Sequence, residues 1–162
     1  MKKLLTYLVF SFFFTQISFS AGSSSSGDGA SKSYYDQAVP LIKAAKELEK
    51  KGKLKKANKR YERAFKYLLK SNKEKPNQPN TLNYLGFTSR KLGDFDNGEK
   101  YYLQGLEIDP NHKGINEYLG ELYVSTNRIE LAKERLEVLQ KCNCEEYQEL
   151  KEIIDGTKKS KY

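Results

Sequence analysis

Three side chains in this 162-residue sequence are suited to redox or metal chemistry: Cys142, Cys144 and His112. In an oxidising compartment two cysteines favour a disulfide. A spacing of two residues makes the usual Cα separation and torsion hard to reach, and a strained bond is easily reduced. Two cysteines and one histidine are too few ligands for one chain to complete a zinc or copper site. The pair is therefore interpreted as structural or incidental, with a redox-active disulfide and a metal site shared between chains as alternatives.

Catalytic chemistry finds no support in the sequence. His112 lies in a predicted turn, and no serine or aspartate has the surroundings of a known nucleophile motif or catalytic triad. A phosphate-binding loop and a convincing pair of catalytic carboxylates are also missing from the sequence. We therefore expect no enzymatic activity, no cofactor and no metal.

Positive charge is concentrated in one region. The sequence carries 29 basic and 21 acidic residues, a formal net charge of +8, and residues 38–78 contain 14 of the basic and 4 of the acidic ones. Such a cluster could bind nucleic acid, anionic lipid or an acidic protein, or it could simply face solvent. No nucleic-acid-binding signature accompanies it. A solvated face is favoured and an anionic surface stays open; the basic-surface residues are Lys55, Lys59, Arg63 and Lys66.

The amino terminus has the features of a secretory signal peptide. Lys2 and Lys3 precede an apolar run over residues 4–14, and small residues precede a cleavage site after Ser20. The run is shorter than the roughly 20 apolar residues of a membrane span, which favours cleavage over an uncleaved anchor. We therefore expect residues 1–20 to be a signal peptide and the protein to be exported.

Apolar residues recur at helical spacing in the centre of the chain. Between residues 80 and 111 they fall every three or four positions on each side of a Gly93-Asp94 break, which predicts two consecutive amphipathic helices. Tyr-Leu-Gly at residues 84–86 recurs 34 residues later, at residues 118–120. An internal repeat of this length is typical of stacked helical hairpins.

This pattern resembles the tetratricopeptide repeat. The matching residues are Leu85, Gly86, Gly93, Phe95, Tyr102 and Asp109-Pro110 in one unit, and Leu119, Gly120, Tyr123, Ile129 and Ala132 in the next. The resemblance implies an all-α, right-handed stack of three helical hairpins with a C-terminal capping helix. The predicted parts are a repeat domain over 34–155, hairpins over about 38–74, 79–108 and 111–141, a capping helix over about 145–154, a flexible Gly/Ser-rich segment over 21–33, and a disordered basic tail over 156–162.

The resemblance also implies a binding groove. In tetratricopeptide repeats the first helix of each hairpin lines a concave surface that holds a partner segment. The corresponding groove residues here are Asn80, Asn83, Phe87, Arg90, Lys91, Glu117, Glu121 and Val124, with Lys46 and Glu49 among those of the first hairpin. Phe87 is expected to be exposed. Glu117 and Glu121 stand where a clamp for a partner's terminal carboxylate would need cations, which argues against that binding mode.

The resemblance is closest to small exported bacterial proteins with this repeat, which implies a periplasmic location. The predicted function is that of a non-enzymatic adaptor that binds a protein or peptide partner in the groove, and no nucleic acid. The alternative is a protein that associates with the envelope or an anionic membrane surface through its basic first hairpin. The sequence determines neither the partner nor the oligomeric state.

Overall fold

Helices make up the fold. The structure is a computed structural model that describes residues 32–160. Within those residues there are seven α-helices and no strand: α1 (Tyr34–Lys50), α2 (Leu54–Glu74), α3 (Pro79–Lys91), α4 (Phe95–Ile108), α5 (Lys113–Ser125), α6 (Ile129–Leu139) and α7 (Glu145–Ile154). Consecutive helices pair as α1–α2, α3–α4 and α5–α6, each pair packs on the next, and α7 packs at the end. The predicted stack of helical hairpins with a capping helix is confirmed.

Each hairpin turns at a residue with a left-handed backbone. Gly52 (φ 68°) lies between α1 and α2, Gly93 (φ 89°) between α3 and α4, and Asn127 (φ 59°) between α5 and α6. Glycine and asparagine adopt this conformation at less cost than other residues. The local sequence therefore determines where each hairpin turns.

Two clusters of buried side chains form the core. The first joins α1, α2 and α3, and the second joins α4, α5 and α6. In the first cluster four fully buried alanines let α1 and α2 approach closely: Ala38, Ala45, Ala57 and Ala64. Larger rings fill the space toward α3, where the Tyr61 and Phe87 rings meet edge to face with centroids 5.8 Å apart.

The last helix covers the open side of the third hairpin. Leu150 and Ile153 of α7 are buried, and α7 contacts both α5 and α6. Leu150 lies directly over Gly120, where an added Cβ would come within 2.5 Å of a Leu150 methyl carbon. A stack of hairpins needs such a cap because the end unit would otherwise expose an apolar face.

The first residues after α7 turn back onto the helix, and residues 161 and 162 of the predicted disordered tail lie outside the described residues. Gly156 has a left-handed backbone (φ 73°), which lets the chain turn back at the helix end. The amides of Thr157 and Lys158 both donate to the Glu152 carbonyl, at 2.9 and 3.1 Å. Lys158 Nζ then lies 2.8 Å from a carboxylate oxygen of Glu149. Residues 156–158 therefore pack against α7.

Two predicted segments fall outside the described residues: the signal peptide over 1–20 and the Gly/Ser-rich segment as far as residue 31. The end of that segment is described, and Ser33 caps α1 by accepting a hydrogen bond from the Asp36 amide at 3.1 Å. No helix within residues 32–160 has the length and apolar character to cross a membrane.

Candidate functional site

Side chains of α1, α3, α5 and α7 meet on one side of the stack, which we call the inner face. Its members are Lys46, Glu49, Phe87, Arg90, Lys91, Glu117, Tyr118, Glu121 and Glu149. Lys46 Nζ of α1 donates to the Tyr118 hydroxyl of α5 at 3.1 Å, so the first hairpin contacts the third directly. The protein's own side chains therefore fill part of the predicted groove.

Phe87 is buried, and the prediction that it is exposed is wrong. Only 2% of its surface is accessible. Its ring centroid lies 5.1 Å from that of Tyr118, and Lys46 Nζ lies 4.5 Å from the centroid on the ring face. Cations are attracted to the negative face of an aromatic ring. Phe87 therefore forms the floor of the inner face and joins neighbouring hairpins.

Arg90 and Glu121 form a buried ion pair between α3 and α5. Their charged atoms are 3.0 Å apart, and both side chains are fully inaccessible. Arg90 also donates to the backbone carbonyl of Tyr118. A partner could reach these two predicted groove residues only by separating the second hairpin from the third.

Three carboxylates gather where α7 meets the inner face. One oxygen each of Glu117, Glu121 and Glu149 lie within 4.8 Å of one another, a spacing that could hold a metal ion. Protein cations already lie beside two of them, because Arg90 contacts Glu121 at 3.0 Å and Lys158 contacts Glu149 at 2.8 Å. The arrangement is that of an internal charge network.

A second network joins α3 to α1. Lys91 Nζ lies 2.7 Å from one carboxylate oxygen of Glu49, and the Tyr61 hydroxyl donates to the other at 2.9 Å. Burial, and secondly the hydrogen bond to Glu49, raises the pKa of the Tyr61 hydroxyl. Tyr61 therefore stays protonated and acts as a fixed donor at neutral pH.

The other predicted groove residues are dispersed. Asn80 is exposed at the start of α3, whereas Asn83 is only 8% exposed. Val124 is half-buried and packs against the second core cluster. None of the three takes part in the two ion pairs described above.

One part of the inner face remains open as a cleft between α1, α3 and α7. Its volume is about 430 Å³, and its lining residues are Lys46, Glu49, Lys50, Phe87, Lys91 and Glu149. Lys50 stands at its rim with 72% of its side chain exposed. Glu149 is not among the predicted groove residues, because α7 was expected to act only as a cap. A signal was available, since Glu149 is the fifth residue of α7 as Glu117 is of α5.

A comparison with known families agrees with this architecture. Residues 79–112, which comprise α3, α4 and the turn before α5, match the family model described as tetratricopeptide repeat. The protein contains a tetratricopeptide repeat. No curated protein matches the sequence. This repeat is generally a non-catalytic module for protein–protein interaction.

The predicted basic surface lies outside the matched tetratricopeptide repeat, on α2. All four residues proposed for it are exposed: Lys55, Lys59, Arg63 and Lys66. None of them forms an ion pair with another described residue. Arg63 instead lies against an aromatic ring, 5.7 Å from the centroid of Tyr67.

Cys142 and Cys144 form a disulfide between the third hairpin and α7. Their Cα atoms are 5.2 Å apart, inside the usual range of about 4.4 to 6.8 Å. The argument that a two-residue spacing makes this separation hard to reach is therefore wrong. Asn143 explains the difference, because its left-handed backbone (φ 45°) bends the chain between the two cysteines. Redox activity of the pair stays a prediction.

His112 caps α5, the helix that follows the matched tetratricopeptide repeat. Its Nδ1 accepts a hydrogen bond from the Ile115 amide at 3.2 Å, and its Nε2 lies 3.0 Å from Asn80 Oδ1. Both contacts are satisfied by a neutral ring with its proton on Nε2. Burial lowers the pKa of His112, although the Asp109 and Glu146 carboxylates oppose that shift.

The lowered pKa of His112 predicts a stability change in mildly acidic solution. The unfolded chain binds more protons in this window, so the free energy of unfolding should fall as pH drops below about 6.5, the unfolded-state pKa. The free energy of unfolding should become independent of His112 protonation below the folded-state pKa. The ring is half-exposed, which limits the loss to under about 1 kcal/mol. Urea unfolding followed across this pH range measures the slope. His112→Asn keeps a capping side chain, so an unchanged slope in that variant would assign the effect elsewhere.

Proposed function

We propose that the protein is a non-enzymatic protein–protein interaction module of the bacterial periplasm, which binds a short partner segment in the cleft between α1, α3 and α7. The observation that carries the proposal is the cleft itself, about 430 Å³ in volume and built from helices of two hairpins and the cap. That volume falls in the range of about 300 to 1,000 Å³ typical of ligand pockets. The tetratricopeptide match supports a binding role, and the predicted signal peptide supports the location.

The walls of the cleft are fixed before a partner arrives. The Arg90–Glu121 ion pair holds α3 against α5, and the Lys91–Glu49 ion pair holds α3 against α1. A receptor that does not have to reorder itself loses less free energy on binding. The cleft therefore suits a partner that binds without rearranging the stack.

The lining of the cleft defines the chemistry of the partner. Phe87 supplies an apolar floor, Lys46 and Lys50 supply positive charge on the α1 side, and Glu149 on the α7 side is already paired with Lys158. A complementary segment carries an acidic residue next to an apolar side chain. Such a segment is shorter than the peptide that a fully open groove would hold, because buried contacts occupy the rest of the inner face.

Site-specific photo-crosslinking in the native host tests the location of binding. A probe at Lys50 stands at the rim of the cleft, whereas a probe at Lys59 stands on the exposed basic face of α2 and outside the cleft. We expect one discrete protein to be captured from Lys50 and not from Lys59. The same set of proteins captured from both positions would contradict binding in the cleft.

Affinity measurements with the captured protein test the contact itself. Lys46→Ala removes a cation from the cleft and should weaken binding roughly tenfold, as expected for truncation of a central contact. Lys59→Ala is the matched control and should leave the affinity unchanged. Circular dichroism confirms that both variants are folded. Equal affinity of the Lys46→Ala variant and the unmodified protein would reject the cleft as the binding surface.

A further inference from the structure

The tip of the first hairpin carries an uninterrupted block of positive charge. Residues 50–60 contain seven basic residues and no acidic residue. They form the end of α1, the turn at Gly52 and the start of α2, and every one of them except Ala57 is exposed. The only acidic partner of this block within the described residues is Glu47, which contacts Lys50 at 2.9 Å on the surface. The charge is therefore available to an external anion.

An exposed leucine stands inside this block. Leu54 begins α2 and is 60% exposed, more than any other large apolar side chain in the described part of the chain. Lysines precede and follow it in sequence, at Lys53 and Lys55. A soluble polyanion offers nothing to such a side chain, whereas the boundary between headgroups and acyl chains does.

Two neighbouring depressions lie beside the leucine. Their volumes are about 440 and 420 Å³, and both are lined by Lys56 and Lys59. The first is completed by Leu48, Arg60 and Arg63, and the second by Gly52, Lys53, Leu54 and Lys55. Among the residues that the structure describes, no carboxylate lines either depression. Each one therefore combines an apolar side chain with several cations, which suits a phosphate headgroup and the start of its acyl chain.

The positive charge continues along the outer side of α2. Exposed cations follow one another every three or four residues from Lys55 to Lys73: Lys55, Lys59, Arg63, Lys66, Lys70 and Lys73. This spacing keeps them on one face of the helix, over a length of about 27 Å. A row of exposed cations along one side of a helix can lie along a charged surface.

We propose that the tip of the first hairpin, residues 50–60, docks on an anionic lipid bilayer. Leu54 enters the interface, the lysines and Arg60 contact lipid phosphates, and α2 lies along the membrane surface. This proposal does not rest on the proposed cleft function, because Leu54, Lys56 and Lys59 lie outside the cleft.

Vesicle co-sedimentation of the purified protein tests the charge contribution. We expect binding to vesicles of two parts phosphatidylcholine to one part phosphatidylglycerol, and none to phosphatidylcholine alone. Each cation near an anionic surface contributes about fivefold to binding, so replacing Lys56, Lys59 and Arg60 together by glutamine should weaken it about a hundredfold. The matched control replaces Lys100, Lys113 and Lys141, exposed lysines elsewhere on the stack, by glutamine. An equal loss in both triple variants would show that only net charge matters and would overturn the proposal.

The Leu54→Ser variant distinguishes binding to a lipid bilayer from binding to a soluble polyanion. It should weaken vesicle binding roughly tenfold because an apolar side chain no longer enters the interface. It should leave binding to inorganic polyphosphate unchanged, since that interaction depends on charge alone. Vesicle binding that is insensitive to Leu54→Ser would overturn bilayer docking in favour of a soluble polyanion. The substituted side chains are exposed, so circular dichroism should show an unchanged fold in every variant.

Discussion

Replacing Arg90 with alanine is expected to destabilise the protein by about 3 to 5 kcal/mol, the usual cost of breaking a buried ion pair. The Arg90 guanidinium lies 3.0 Å from Glu121, and neither side chain is accessible to water. The substitution leaves the buried Glu121 carboxylate without this guanidinium. It also deprives the Tyr118 carbonyl of the hydrogen bond that Arg90 donates. Because the pair joins the second hairpin to the third, the loss should lower the urea midpoint of the whole stack in far-UV circular dichroism.

A second ion pair in the same stack provides the matched control. Arg128 contacts Glu99 at 2.7 Å and also links the third hairpin to the second, but its side chain is 36% exposed. Arg128→Ala should therefore cost only about 1 kcal/mol, because solvent screens a partly exposed pair. If Arg90→Ala costs no more than Arg128→Ala, burial does not set the strength of the first pair.

Replacing both Arg90 and Glu121 with apolar residues separates two contributions to stability. One is the attraction between the two charges, and the other is the cost of leaving one charge buried without a partner. The double variant Arg90→Met, Glu121→Leu fills the same space without charge and should recover most of the stability lost in Arg90→Ala. If the double variant does not recover stability, the loss in Arg90→Ala comes mainly from the surrounding polar contacts, such as the hydrogen bond to the Tyr118 carbonyl.

The hairpins were predictable because their determinants are local. The glycines at residues 52 and 93 mark two of the turns, and apolar residues three or four apart mark each helix. The 34-residue recurrence of Tyr-Leu-Gly then places the second and third hairpins in the same stack. Each of these signals lies within about one repeat length of sequence, so no knowledge of the packed structure is required to find it.

The state of the inner face was not predictable in the same way. Lys46 and Tyr118 are 72 residues apart in sequence, and Arg90 and Glu121 are 31 apart. Such contacts depend on how strongly the stack curves and on how far α7 reaches back across it. A charged residue on an isolated amphipathic helix resembles a solvated one, which is why Arg90 and Glu121 were assigned to an open groove. The exposure of the cations on α2 was easier to anticipate, because a run of charged residues usually marks a solvated face.

Gly86→Ala should be destabilising by about 3 kcal/mol, a large effect for the addition of one methyl group. Helix propensity alone predicts the opposite, since alanine is favoured over glycine in a helix interior by about 1 kcal/mol. The structure favours destabilisation, because a Cβ at Gly86 would lie only 2.5 to 2.8 Å from three ring carbons of Tyr102. Tyr102 is fully buried and its ring is rigid, so α3 and α4 would have to separate. Urea unfolding of the single variant measures the sign and the size.

The cause can be isolated by repeating Gly86→Ala in a Tyr102→Leu background. A leucine side chain is flexible and smaller, so it can move aside for the added methyl group. The exchange also strands no hydrogen-bond partner, because the Tyr102 hydroxyl makes no hydrogen bond within the described residues. We therefore expect the cost of Gly86→Ala to fall by more than about 1 kcal/mol in that background, the coupling expected of residues in contact. The same cost in both backgrounds would mean that the Tyr102 ring does not limit the approach of α3 to α4.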